Sequence, residues 1–117
     1  MLRVLIVDDA AFFRKMLRRV LDDAGYVVVG EAKNGHDAVL QYRTLWPEVV
    51  LLDIAMPIMD GLSALKAIRE IDEFAAVIMI SALGEHMVLQ EAIRRGARDF
   101  LGKPLDRDKL IRILASL

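Results

Sequence analysis

Apolar residues along the chain switch between two spacings. Short continuous runs rich in Val, Ile and Leu lie near residues 3–7, 26–30, 48–53, 76–80 and 98–101. Between them, apolar positions recur every three or four residues. The continuous runs predict strands covered on both faces, because a half-exposed strand alternates apolar with polar residues. The spaced segments predict helices with one buried stripe.

The first helix, near 11–24, carries Phe13, Met16, Leu17, Val20 and Leu21, with Asp9 or Ala10 at its start and Gly25 as its stop. The second begins near Asn34–Gly35, runs through Ala38, Val39 and Tyr42 to Leu45, and ends before Pro47, with Trp46 closing it over an edge of the core. The third follows Gly61 and carries Leu62, Leu65 and Ile68. The fourth spans about 85–95 and stops at Gly96. The fifth starts near Asp106 and carries Leu110, Ile113 and Leu114. Five strand–helix repeats require crossovers, which are nearly always right-handed. The expected fold is therefore α/β: a (βα)5 doubly wound, five-stranded parallel sheet, with residues 1–117 as one domain. Sheets of this kind bind ligands beyond the C-terminal ends of their strands.

Composition narrows the setting. Apolar residues make up 56% of the chain, enough for a generous core, yet no apolar stretch approaches the ~20 residues of a membrane helix. Sixteen basic residues against seventeen acidic ones give no electrostatic case for nucleic acid. Arg14–Lys15, Arg18–Arg19 and Arg94–Arg95 sit among apolar helix positions and read mostly as solvated faces. There is no cysteine, hence no disulfide framework or thiolate metal site. His36 and His86 lack a nearby Cys or His and read as surface residues, and the six methionines as gap fillers. With no secretory signal visible at the N-terminus, a cytoplasmic location is expected.

Chemistry gathers at the strand ends. The first strand runs into Asp8 and Asp9, the third into Asp53, the fourth into Ser81, and the fifth leads to Lys103. Each has an ordinary explanation alone: one of the paired Asp caps the first helix, Asp53 belongs to a turn, Ser81 caps the fourth helix, Lys103 faces solvent before the turn-forming Pro104. Parallel strands place all of them on one rim. Three carboxylates there repel one another, and their pKa values rise unless a cation compensates. Hard oxygen ligands suit Mg2+. A carboxylate can act as a nucleophile toward phosphorus, a reaction that depends mainly on alignment and charge neutralisation.

The stretches Val4-Leu5-Ile6-Val7-Asp8-Asp9-Ala10, Gly30-Glu31-Ala32-Lys33-Asn34-Gly35, Leu52-Asp53-Ile54-Ala55-Met56-Pro57, Met59-Asp60-Gly61, Gly96-Ala97-Arg98-Asp99-Phe100 and Lys103-Pro104 span the chain in order. In combination they closely resemble the receiver domain of two-component response regulators, particularly the single-domain chemotaxis (CheY-like) type. The resemblance implies a flavodoxin-like sheet of order 2-1-3-4-5. It also implies phosphoryl transfer from a sensor histidine kinase to Asp53, with Mg2+ held by Asp9, by Asp8 mostly through water, by Asp53 and by the Ala55 carbonyl. Lys103 and Ser81 would bind the phosphoryl oxygens, Pro104 would rigidify the loop, and Ser81 with Phe100 would form a switch. That switch would report through the fourth helix, fifth strand and fifth helix to a target protein such as a flagellar motor switch, without nucleic acid or membrane contact.

Two positions depart from the family pattern. Phe100 lacks the hydroxyl that many relatives carry, and Gly102 replaces a bulkier residue, either loosening the lysine's backbone or relieving crowding. Ala55 and Leu83, which flank the path of an attacking water in relatives, offer it no side-chain hydrogen bond. Slow self-dephosphorylation is therefore expected. A receiver cut from a longer transcriptional or enzymatic regulator is the alternative context. An aspartate-nucleophile phosphatase would need an Asp-x-Asp pattern after the first strand and a cap domain, and no phosphate-binding glycine loop supports a nucleotide site.

Overall fold

The computed structural model describes residues 2–82 and 85–117. Five strands and five helices alternate: β1 (Arg3–Val7), α1 (Ala11–Asp23), β2 (Val27–Ala32), α2 (Gly35–Leu45), β3 (Val49–Asp53), α3 (Gly61–Ile71), β4 (Val77–Ser81), α4 (His86–Arg94), β5 (Asp99–Gly102) and α5 (Arg107–Ala115). All strands are parallel, in the order β2-β1-β3-β4-β5. The doubly wound sheet expected from the alternation is present.

Each central strand is buried on both sides, and its side chains sort by parity into two cores. Leu5, Val7, Val50, Leu52, Val77 and Met79 face one way, against Ala38 and Tyr42 of α2, Leu65 and Ile68 of α3, and Leu89 and Ala92 of α4. Val4, Ile6, Val49, Leu51, Ile78 and Ile80 face the other way, with Leu101, against Phe13, Leu17 and Leu21 of α1 and Leu110, Ile113 and Leu114 of α5. The continuous apolar runs reflect this double coverage.

Several boundaries and caps differ from expectation. β2 extends to Ala32 because Glu31 and Ala32 pair with Ile6 and Val7, so backbone pairing carries the strand across Gly30 and Glu31 to the buried Ala32. β5 ends one residue later, at Gly102, which pairs with Ser81. Neither Asp8 nor Asp9 caps α1: Ala10 holds that position without a side-chain bond. Asn34, Asp60 and Asp106 do cap α2, α3 and α5, each accepting the backbone N–H three residues on. Trp46 closes α2 in the left-handed conformation, its ring tilted against Tyr42 but half exposed.

Gly61 fixes the start of α3 against the end of β3. Its N–H donates to the Ile54 carbonyl at 2.7 Å, and a Cβ there would collide with the Asp53 and Ile54 backbone. Gly102 is the opposite case, since a Cβ meets nothing within 4 Å; relief of crowding is not its reason. Gly61→Ala should therefore destabilise the protein by about 2–3 kcal/mol, the scale of overpacking against atoms that cannot move aside. Gly102→Ala should be neutral or stabilising by up to ~1 kcal/mol, because it removes unfolded-state freedom. Urea unfolding of the two variants checks the contrast.

Candidate functional site

The sheet register brings the acidic residues together. Val7 lies opposite Leu52, so Asp8 and Asp53 leave their strands side by side. Asp8 stands two residues beyond Ile6, Asp53 two beyond Leu51, and Lys103 two beyond Leu101. By the same parity, these three prolong the face covered by α1 and α5. Oxygens of Asp8, Asp9 and Asp53 all lie within 4.8 Å of one another. The Lys103 Nζ sits 3.0 Å from Asp8 Oδ2 and 3.6 Å from Asp53 Oδ2. Lys103 is thus turned into the site rather than toward solvent.

Burial sharpens the electrostatics. Asp8 is fully buried and Asp53 nearly so, whereas Asp9 is exposed. Asp8 Oδ1 accepts the Ala10 N–H at 2.8 Å. Its Oδ2 pairs with Lys103 by charge but has no partner of hydrogen-bond geometry among the described residues. Burial, then the neighbouring charge of Asp8 and to a lesser degree Asp9, push the Asp53 carboxyl up to about 6 against the opposing pull of Lys103. Burial disfavours the Lys103 charge, yet Asp8 and Asp53 together hold its proton more tightly than in a free lysine. One ammonium against three carboxylates leaves the rim under-neutralised. A buried carboxylate oxygen without a hydrogen bond, within a cluster of hard oxygens, is a donor set that fits Mg2+.

The remaining predicted residues lie around this group. Ser81 ends β4, buried, and its carbonyl accepts the Lys103 N–H at 2.8 Å. It does not cap α4, whose N-cap is Glu85; the Glu85 carboxylate instead accepts the Ala82 N–H at 2.7 Å. Ala55 is exposed beside Asp53, and its N–H favours the Asp53 carboxylate. The Lys103–Pro104 peptide is cis. Phe100 is turned outward and is 38% exposed, which excludes plain core packing. Its ring lies 5.0 Å from the Lys109 Nζ. It shares the lining of a cavity of about 250 Å³ with Ser81, His86, Leu89, Lys103 and Lys109. His36 and His86 are both exposed, as expected. Leu83 lies outside the described residues.

Two contributors escaped sequence reading. Arg14, classed with solvated helix faces, donates to the Asp8 carbonyl at 2.7 Å and to Glu31 at 3.1 Å, while Arg18 donates to Glu31 at 2.8 Å. Despite burial, these two guanidinium groups hold the Glu31 carboxyl below its usual range. The second is Phe13, classed as a core residue: the Lys103 Nζ lies 4.4 Å from the centre of its ring. Such a contact is worth about 0.5–2 kcal/mol, depending on desolvation. No local pattern signals either contact, because both join different elements, and the Lys103–Phe13 pair is also distant in the chain.

Residues 4–115 match the sequence profile described as the response regulator receiver domain. The chemotaxis protein CheY of Thermotoga maritima is 48% identical over 112 residues, covering 96% of this chain and 93% of that protein. The CheY of Bacillus subtilis is also 48% identical, over 93% of this chain and 91% of its own length. Among solved structures, a chain of the CheX–CheY–BeF3–Mg2+ complex from Borrelia burgdorferi superposes with a TM-score of 0.94 at 40% identity. The match covers 98% of this chain and 87% of that one.

The raised Asp53 pKa carries a stability consequence. Its folded value of about 6 exceeds the unfolded ~3.9, so the folded state holds the proton longer. The cost of ionising it is absent below pH ~4, grows between pH ~4 and ~6, and reaches roughly 2–3 kcal/mol above that. In chelator, Asp53→Asn should be more stable than the parent by about 2 kcal/mol near neutral pH and equal to it near pH 4. Denaturant midpoints across pH test this, a pH-independent gap being the contrary result. Added Mg2+ should narrow the neutral-pH gap.

Proposed function

The chain belongs to the response regulator receiver domain family, and from that membership we propose that Asp53 is its phosphoacceptor within a unit formed by residues 1–117. The family is one of two-component signalling proteins rather than turnover enzymes. The observation that carries the assignment is the Lys103 ammonium between two buried carboxylates, 3.0 Å from Asp8 and 3.6 Å from Asp53.

In this reading an Asp53 oxygen attacks the phosphorus of a phosphohistidine on a sensor histidine kinase. A P–O bond forms as the P–N bond breaks, and the imidazole leaves as neutral histidine once protonated. Asp8, Asp9, the other Asp53 oxygen and the Ala55 carbonyl would hold Mg2+, with Asp8 acting mostly through water. Bound there, the ion offsets the charge gathered by the carboxylates and the incoming phosphoryl group. Lys103 supplies the second positive charge by pairing with a phosphoryl oxygen, and Pro104 stiffens the loop that presents it. The Ser81 hydroxyl donates to another phosphoryl oxygen.

Ser81 and Phe100 line one cavity, so movement of Ser81 toward the phosphoryl group opens room beside it. Phe100, now outward, turns into that space and alters the surface of α4, β5 and α5. The CheY relatives favour a chemotaxis role; the reading adds a cytoplasmic location and a protein target such as the flagellar motor switch. The chain's near-neutral charge balance supports neither nucleic acid nor membrane as a direct partner.

Incubation with Mg2+ and a small acyl-phosphate donor should add one phosphate-sized mass to the wild type and none to Asp53→Asn, by intact mass spectrometry. Equal gain in both places the acceptor elsewhere. Decay of the modified protein should be slow compared with relatives bearing amide or acidic residues at the position of Ala55. Ala55→Asn should speed decay several-fold by orienting the attacking water, an effect on the scale of ~1 kcal/mol. Rapid decay unchanged by that substitution would count against the assignment.

A further inference from the structure

Lys103 is anchored to its loop through its backbone. It follows Gly102, whose flank is open, since an added Cβ would meet nothing within 4 Å. Its backbone N–H is tied to Ser81, but the side chain must cross from β5 to the acidic residues on four flexible bonds, losing rotamer freedom. Toward the carboxylates it has the Asp8 and Asp53 oxygens. Those two contacts, at 3.0 and 3.6 Å, hold the ammonium from the carboxylate side alone.

The third side is closed by Phe13. Its ring projects from the first turn of α1, is 8% exposed, and belongs to the core formed with Leu17, Leu101 and Leu110. The Lys103 Nζ stands over this ring at 4.4 Å. The negative face of an aromatic ring attracts an ammonium electrostatically, and a ring locked in a close-packed core cannot drift.

We infer that Phe13 is a positioning residue for the phosphoryl transfer proposed above, fixing the Lys103 ammonium above Asp8 and Asp53 from the side that the carboxylates leave open. The inference rests on that assignment for its catalytic consequence, and on the ring–ammonium contact for its geometry. Aliphatic packing at position 13 would preserve the fold and lose the attraction. A ring of the same shape with reversed face charge would lose it too.

The test compares the wild type, Phe13→Leu, and the protein in which the Phe13 ring is replaced by its pentafluoro analogue. Three readouts are taken on each: the Lys103 Hε and Nζ proton shifts by NMR, the Mg2+ Kd by calorimetry, and the rate of modification by a small acyl phosphate. In the wild type the Lys103 protons should be displaced upfield by the ring current, and Phe13→Leu should abolish that displacement. Both altered proteins should be modified about fivefold more slowly at subsaturating donor, equivalent to ~1 kcal/mol, with the Mg2+ Kd within twofold of wild type. Unshifted Lys103 protons in the wild type overturn the inference. So does a pentafluoro protein modified at the wild-type rate, which reduces Phe13 to a space filler. A wild type with shifted Lys103 protons but no modification at Asp53 refutes the phosphoacceptor assignment and leaves the contact standing.

Discussion

Crowding of like charge at one rim of a parallel sheet governs this molecule. Three carboxylates whose oxygens lie within 4.8 Å are answered by one ammonium. Left to itself, such a cluster would favour protonation or unfolding. The fold tolerates it because the strands beneath are buried on both faces, and the stability of two cores absorbs the local penalty. The same imbalance is one that a bound divalent cation would offset.

Much of this was legible in the sequence, for a specific reason. Double coverage of β1, β3 and β4 leaves unbroken apolar runs, and each run ends where its strand ends. A reactive residue at a strand terminus is therefore visible as a polar break in an apolar run. Parallel topology then converts a one-dimensional pattern into a shared location. Asp8, Asp53 and Lys103 could be grouped on that basis without coordinates, and the family resemblance supplied their roles.

What stayed hidden depends on contacts between elements. Phe13 fits the apolar stripe of α1, and nothing in its spacing marks it as the residue beneath an ammonium. Arg14 looks like one more charge on a helix surface until its donation to the Asp8 carbonyl is seen. β2 outruns its continuous apolar run because its end is set by pairing with β1, a property of the neighbouring strand. Trp46 takes a left-handed cap that its residue type disfavours, with its ring resting on Tyr42.

The seating of Gly61 on the backbone of Asp53 and Ile54 has an evolutionary corollary. Surface connections ordinarily absorb inserted or deleted residues with little harm. The segment 54–60 has little such slack, because the Gly61 N–H closes it back onto the Ile54 carbonyl. Length variation there would shift Asp53, whose backbone abuts Gly61. Variation along that span is therefore confined to exchange of side chains, with the backbone path held constant.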